Sequence, residues 1–305
     1  MKVLYCKNRG IEKMVNECYL FGGLIMDCYY AIDAFPERGQ DGFITAEKMM
    51  AGGCAVNMAV TIENLGGKAH VISGMGDDPS SVNLMDYMKR HSLSTKFIEQ
   101  VEGKVGKCLV FLEPDGERTF LTSKGAEGIF SQELSERIKK EVPSVAGVTG
   151  YYLLNDDSER VLQTLEYLHF KGTKILFDPS PLVSSINDGQ LGRMIRISDM
   201  MTPNTVELEY LNNFTSLSEY VARGKTAVVK NGSEGGSVYS PDGSFTYKSA
   251  AVENVVDTTG AGDSFAGALL FSMMYDMPFD AAIELAAKCA GKTVETDGPH
   301  GFWSL

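Results

Sequence analysis

The sequence predicts an α/β protein: a doubly wound, mostly parallel sheet with helices on both faces and a small β lid. Three observations predict it. From residue 131 onward, short apolar runs alternate with stretches of helical length, the βαβα rhythm of a parallel sheet. Two segments rich in strand formers, about 28–50 and 95–122, break that rhythm and read as extra strands set apart from it. A loop of small residues at 257–262 runs straight into an apolar helix, an arrangement that presents backbone N–H groups to an anion.

The elements follow in order. Residues 18–23 read as a short buried strand ending in Gly22-Gly23. Turn formers fill 33–42, and 43–50 returns as a strand. Gly52-Gly53 opens a helix over 54–65, which Gly66-Gly67 closes. A buried strand at 69–74 leads to a helix at 78–91. Strands at 105–111 and 118–122 are joined through the turn formers at 113–117. Helix 131–141, strand 145–149, helix 159–170, strand 173–177, helix 188–197, strand 198–202 and strand 225–230 then alternate. A hairpin over 235–247 precedes two closing helices, 261–275 and 278–293. The whole chain, 1–305, reads as one domain carrying a lid from about 28–50 and 95–122.

Composition narrows the function. A net charge of −12 argues against a nucleic-acid backbone or an anionic membrane as the partner. The six cysteines show no C-x-x-C pair and no zinc-ligand spacing, so they read as reduced thiols of a cytoplasmic protein. No apolar run approaches the length of a membrane span.

The most informative segment is Asp257-Thr258-Thr259-Gly260-Ala261-Gly262-Asp263. Gly260 and Gly262 let the backbone turn tightly, and the helix that follows adds unpaired donors and partial positive charge. Asp263 then places a carboxylate where an anion should bind. It is either a first-turn residue favoured by the helix dipole or a general base for a hydroxyl attacking a phosphate.

This segment resembles the C-terminal signature of the PfkB/ribokinase family of carbohydrate kinases. Gly52-Gly53-Cys54-Ala55-Val56-Asn57 with Gly66-Gly67 resembles the N-terminal signature. The Gly22 to Asp27 spacing, Gly76-Asp77-Asp78 and Asn204-Thr205-Val206-Glu207 resemble three further family elements, all in the family's order.

The resemblance implies a ribokinase-like fold and transfer of the γ-phosphate of ATP to a hydroxyl of a sugar or sugar-like molecule. It implies Asp263 as catalytic base and the amides of Gly260, Ala261 and Gly262 as an anion hole. Asp27, Gly52, Gly53 and Asn57 would hold substrate hydroxyls. Asn204 and Glu207 would organise Mg²⁺ through water beside ATP, and Lys230 and Gly232 would line the nucleotide site. Asp257 and Thr259 match positions that bind a monovalent cation such as K⁺ in many members. The lid would close over the substrate, and in several relatives it pairs two subunits into a homodimer.

Each position also has a plain structural reading. Asp27 fits a strand-end turn, Asn57 an early-helix hydrogen bonder and Glu207 a solvated helix face. The chain departs from the family at Cys54, where many members carry lysine, and at Lys230, where threonine is common. Lys230 is closer to the 2-keto-3-deoxygluconate kinases, which would also want basic lid residues; Arg118 and Lys124 are the candidates. Glu127 stands where relatives often have asparagine. Substrate classes left open are sugars, sugar acids and nucleosides.

Two other classes compete. A dinucleotide-dependent oxidoreductase needs G-x-G-x-x-G after the first strand, and Gly74-x-Gly76 is followed by Pro79 instead. A non-catalytic sugar or nucleotide sensor on the same scaffold would not need Asp263.

Overall fold

A computed structural model describes residues 14–114, 117–301 and 303. The chain runs β1 (Met14–Phe21), β2 (Ile25–Ile32), β3 (Ile44–Gly52), α1 (Cys54–Asn64), β4 (Ala69–Met75), α2 (Pro79–Arg90), β5 (Ser94–Gln100), β6 (Lys107–Leu112) and β7 (Arg118–Ser123). It continues α3 (Gln132–Lys139), β8 (Val142–Thr149), α4 (Ser158–Phe170), β9 (Lys174–Asp178), α5 (Asp188–Ile197), β10 (Met200–Met201), α6 (Thr205–Leu211) and α7 (Leu217–Ala222). The last elements are β11 (Thr226–Lys230), β12 (Gly236–Ser240), β13 (Gly243–Tyr247), α8 (Ala261–Met274) and α9 (Phe279–Val294).

The large sheet has the order β13-β12-β11-β10-β9-β8-β1-β4-β5. It is parallel from β11 through β5, with β12 and β13 added antiparallel as a hairpin. β1 takes β8 on one side and β4 on the other, and such a change of direction opens a crevice at the carboxyl ends of the strands. Side chains on β1 alternate between two cores. Cys18 and Leu20 pack with buried residues of α1, α8 and α9; Tyr19 and Phe21 pack with those of α3, α4 and α5.

Helix α8 carries few polar side chains because β8, α1 and α9 cover it. Gly267 lets α1 approach closely: a Cβ there would lie 2.9 Å from the Met58 carbonyl oxygen. The Thr61 hydroxyl donates to Ser264 Oγ at 3.1 Å across the same contact. This crossing brings Asn57, one turn along α1, level with Asp263 in the first turn of α8.

A second sheet, β3-β2-β6-β7, is separate from the large one and corresponds to the segment expected as a lid. Its extent corrects the expectation for 95–122: β5 pairs with β4 in the large sheet, and Phe97 is buried beside Tyr19 in the main core. The lid therefore comprises Ile25–Gly52 and Lys107–Ser123 with the turns between them. β1 also begins earlier than residue 18, at Met14, and the strand expected over 198–202 is only Met200–Met201. Residues 1–13 and the tip of the 113–117 turn, at 115–116, lie outside the described residues.

Glu127 wedges into the junction of the two sheets. Its Oε1 accepts from the Gly125 N–H at 3.1 Å, and a Cβ on Gly106 would lie 2.3 Å from its Oε2. Among the described residues no helix is long and apolar enough to cross a membrane.

Candidate active site

The site is assembled where strand ends, the lid root and the start of α8 converge. Gly260 caps α8 with φ +75°, in the left-handed region, and a Cβ there would lie 1.8 Å from the Pro299 carbonyl oxygen. Among the described residues the N–H of Gly262 has no acceptor, and that of Ala261 reaches only the Thr258 carbonyl at 3.4 Å. The loop thus presents open donors at a positive helix end.

Asp263 occupies the first turn but does not bond back to its own helix. Its Oδ2 accepts from Asn57 Nδ2 at 2.7 Å. Burial raises its carboxyl to about 6, an effect that the Asn57 hydrogen bond opposes and nearby Asp178 reinforces. The Cys54 thiol and Lys230 also face it.

Asp27, at the root of the lid, is 5% exposed and lies flat on the Gly52 backbone, where a Cβ would come within 2.0 Å of its Oδ2. Among the described residues its carboxylate accepts no hydrogen bond. Burial, then repulsion from Asp263 and Asp257, raises it to about 7. The strand-end turn reading of Asp27 does not hold, since it sits within β2 opposite Met50 and Cys108.

Asn204 and Glu207 form a capping box at the start of α6. Glu207 N donates to Asn204 Oδ1 at 2.8 Å, while Glu207 Oε2 accepts from Asn204 N and Oε1 from Asn204 Nδ2, both at 2.9 Å. Glu207 is buried rather than on a solvated face, and burial raises its carboxyl. Lys230 Nζ lies 2.7 Å from Asp178 Oδ2, which also accepts from the Thr202 hydroxyl at 2.9 Å. Burial opposes the Lys230 charge, but Asp178 and then Glu207 and Asp263 hold its pKa above the ordinary range. A Cβ on Gly262 would lie 3.6 Å from Nζ, so the ammonium stands beside the anion loop. Gly232 has φ +54° and faces open space.

Arg118, expected at the substrate, is paired with a carboxylate of the loop before α8. It docks from β7 onto the loop before α8, 3.2 Å from Asp257 Oδ1 and 3.5 Å from the Thr258 hydroxyl. Asp257 Oδ1 also accepts from Thr259 N at 2.8 Å, while the Thr259 hydroxyl is buried near Tyr29 with no hydrogen bond of good geometry among the described residues. Lys124 is spent on the Leu154 carbonyl oxygen at 2.6 Å.

Residues 16–303 match the model of the pfkB family of carbohydrate kinases. The chain belongs to this family. It is 29% identical over 282 residues to an uncharacterised sugar kinase, YegV, of Escherichia coli K12, covering 90% of this chain and 87% of that one. It is 26% identical over 282 residues to an ATP-dependent ribose-1-phosphate kinase of Halopiger xanaduensis, covering 91% of each. Its fold matches the nucleoside kinase of Methanocaldococcus jannaschii with a TM-score of 0.83 at 20% identity, covering 96% of each chain. The pfkB chain is therefore a ribokinase-like, ATP-binding sugar or nucleoside kinase, a phosphotransferase that acts on a hydroxyl.

The fold brings together in this kinase Asp27, Gly52, Gly53, Asn57, Lys230, Gly260, Ala261, Gly262 and Asp263, with the Asn204–Glu207 box next to Asp178 and Lys230. Reading the sequence missed Asp178, Tyr151 and His300. Asp178 ends β9, and Tyr151, just past β8, lies near Cys54, Asp263 and Cys108. Their only sequence signal was position at or just past a strand's carboxyl end. His300, one of four histidines, carried none.

Proposed function

We propose that this kinase transfers the γ-phosphoryl group of ATP to a hydroxyl of a neutral sugar or sugar-like molecule, with Asp263 as general base. The observation that carries the reading is the placement of a carboxylate of raised pKa among the open N–H groups of the α8 start. A sensor has no use for a base held there.

The acceptor's hydroxyls bind Asp27 and the Gly52-Gly53 backbone. Asp27 holds unfilled acceptor sites at the lid root, and its burial penalises ligands that lack hydroxyl donors. The reacting hydroxyl gives its proton to Asp263 as its oxygen forms a bond to Pγ. The bond from Pγ to the β,γ-bridging oxygen breaks, and ADP leaves. The amides of Gly260, Ala261 and Gly262 and the Lys230 ammonium oppose the charge spread over the transferring group. Asn57 acts on Asp263 directly, in addition to any contact with the substrate. The lid excludes water, the competing nucleophile.

Mg²⁺ fits this site as an ion held by ATP and water. Both Glu207 oxygens are engaged in the capping box, and no cluster of three ligating side chains occurs among the described residues. Glu207 and Asp178 would orient its waters, and the ion would neutralise the ATP phosphates. A cation such as K⁺ at Asp257 does not fit while Arg118 is docked, because the guanidinium already supplies positive charge there. Neither the docked Arg118 nor the engaged Lys124 stands ready to clamp a sugar acid, which favours neutral acceptors, nucleosides included.

A cavity of about 460 Å³ between the exit of β13 and α9 is lined by apolar Tyr247, Ala250, Ile283 and Ala287 and by charged Lys248, Asp280, Glu284 and Lys288. Its apolar part suits the adenine. Phe43, Ile44, Met49, Phe120 and Leu121 leave exposed apolar surface on the lid, which supports a homodimer formed through it.

The test is ADP release with Mg²⁺, ATP and a panel of sugars, sugar acids and nucleosides. Release should require an acceptor and fall about 10²–10⁴-fold in Asp263→Asn with ATP binding retained. Near-normal turnover in that variant sinks the base assignment.

A further inference from the structure

The segment 297–301 is strapped across this site. Lys48 in β3 pairs with Asp297 at 2.6 Å. A Cβ on Gly298, which has φ +108°, would lie 2.5 Å from the Met50 sulfur. The Pro299 carbonyl abuts Gly260, and Asn64 Nδ2 donates to the Gly301 carbonyl at 2.9 Å. The strap thereby touches the lid, α1 and the anion loop at once.

Its one imidazole lies between α1 and α2. His300 is 4% exposed. Its Nδ1 lies 2.7 Å from Asn57 Oδ1, and its Nε2 meets the Tyr87 hydroxyl. Asn57 in turn reaches Asp263.

One proton assignment satisfies the whole chain. An ionised carboxylate only accepts, so Asn57 must turn Nδ2 to Asp263. Its Oδ1 then faces His300 and needs a donor, which places the imidazole proton on Nδ1. A neutral imidazole leaves Nε2 to accept from Tyr87. Burial agrees with this: it lowers His300 to about 4 and raises Tyr87 to about 12, so both stay neutral at pH 7.

We propose that His300 is a positioning residue for Asp263: it locks the Asn57 carboxamide so that Nδ2, and not Oδ1, faces the base. The C-terminal strap then belongs to the catalytic apparatus. Without the Nδ1–H, the carboxamide is free to rotate and turn its oxygen toward the carboxylate, which removes a donor and disfavours the ionised base. This rests on the reading of Asp263 as the base.

The other groups that face Asp263 are Cys54 from α1, Asp27 from β2, Asp178 from β9, Lys230 from β11 and Tyr151 after β8. No hydrogen bond links His300 to any of them. Tyr87 of α2 and His91, the residue after it, face the imidazole itself.

The experiment compares full-length wild type with His300→Leu, which removes the donor, and His300→Asn, which restores an N–H near the Nδ1 position. The Asn57 side-chain amide is followed by ¹⁵N NMR across pH, and kcat/KM is profiled over the same range. In wild type the amide should titrate with Asp263. In His300→Leu the midpoint and the acid limb should both move up by about one pH unit, roughly a tenfold loss of kcat/KM on the acid side. KM for ATP should hold, and His300→Asn should return both toward wild type. A folded His300→Leu that titrates as wild type overturns the proposal. So does an equal displacement in His300→Asn. If His300→Leu does not fold, His300→Ala carries the same comparison. Wild type that releases no ADP with any acceptor counts against the kinase reading alone, and the NMR titration still decides the role of His300.

Discussion

The Arg118 guanidinium, carried by the lid, lies 3.2 Å from the Asp257 carboxylate in the loop that leads into α8. Asp257 is 5% exposed, and a buried carboxylate needs a charge partner or it neutralises. This pair therefore ties lid position to the geometry of the anion loop.

Arg118→Ala should raise the acceptor KM several-fold while KM for ATP changes little. It should also make turnover more sensitive to K⁺ against Na⁺ than in wild type, because Asp257 loses its resident cation. Steady-state kinetics in the two salts checks both, and an unchanged acceptor KM would show that the pair does not hold the lid.

Gly52→Ala should act on the acceptor side alone. The new Cβ would fall 2.0 Å from Asp27 Oδ2, so the carboxylate must leave its seat on the backbone. We expect acceptor KM to rise about tenfold or more, with ATP binding by calorimetry near normal. Equal loss on both sides would mean that the backbone at the end of β3, not the seat of Asp27, was damaged.

Lys230→Met should weaken ATP binding. The ammonium stands beside Gly262 and is held by Asp178 at 2.7 Å. Its loss removes a charge from the phosphate side and leaves Asp178 without its cation. KM for ATP should rise about tenfold or more, with the acceptor KM less affected, as initial rates at varied ATP would show.

The two raised carboxyls set a pH dependence of stability. Burial lifts Asp27 to about 7 and Asp263 to about 6. Both lie above the unfolded carboxyl value, so the folded chain binds these protons more tightly than the unfolded chain. Their contribution is fully present below about pH 4 and is lost as pH rises through 6 and 7. Asp27→Asn and Asp263→Asn should therefore each stabilise the protein by about 1–3 kcal/mol at pH 8 and by little at pH 4. Thermal melts at both pH values check this; equal gains at both would mean that ionisation is not the cause.

Much of this was legible in the sequence because it is local. The glycine-rich start of α8, the Asn204–Glu207 pair and the strand–helix alternation are set by neighbours a few residues apart. Even so, the locally attractive cap reading of Asp263 gave way to its bond with Asn57, 206 positions away. The segment around Phe97 has the strand character of a lid, yet the burial of that ring beside Tyr19 draws β5 into the large sheet. Arg118 read as a substrate clamp, and its docking on Asp257, 139 positions further on by their numbers, left no local trace.

The sequence by itself determined the fold class, the order of the strands and helices in the chain, and the small-residue loop that leads into α8 with Asp263 in its first turn. Backbone conformation and helix-end electrostatics act within a few residues, so composition and spacing reveal them. Only the tertiary structure decided which side chain faces which: that Asn57 bonds Asp263, that His300 meets Asn57, and that Asp178 holds Lys230. Those relations depend on how α1 crosses α8 and on where the final strap lies. Packing of distant segments sets both, and no short-range pattern encodes them.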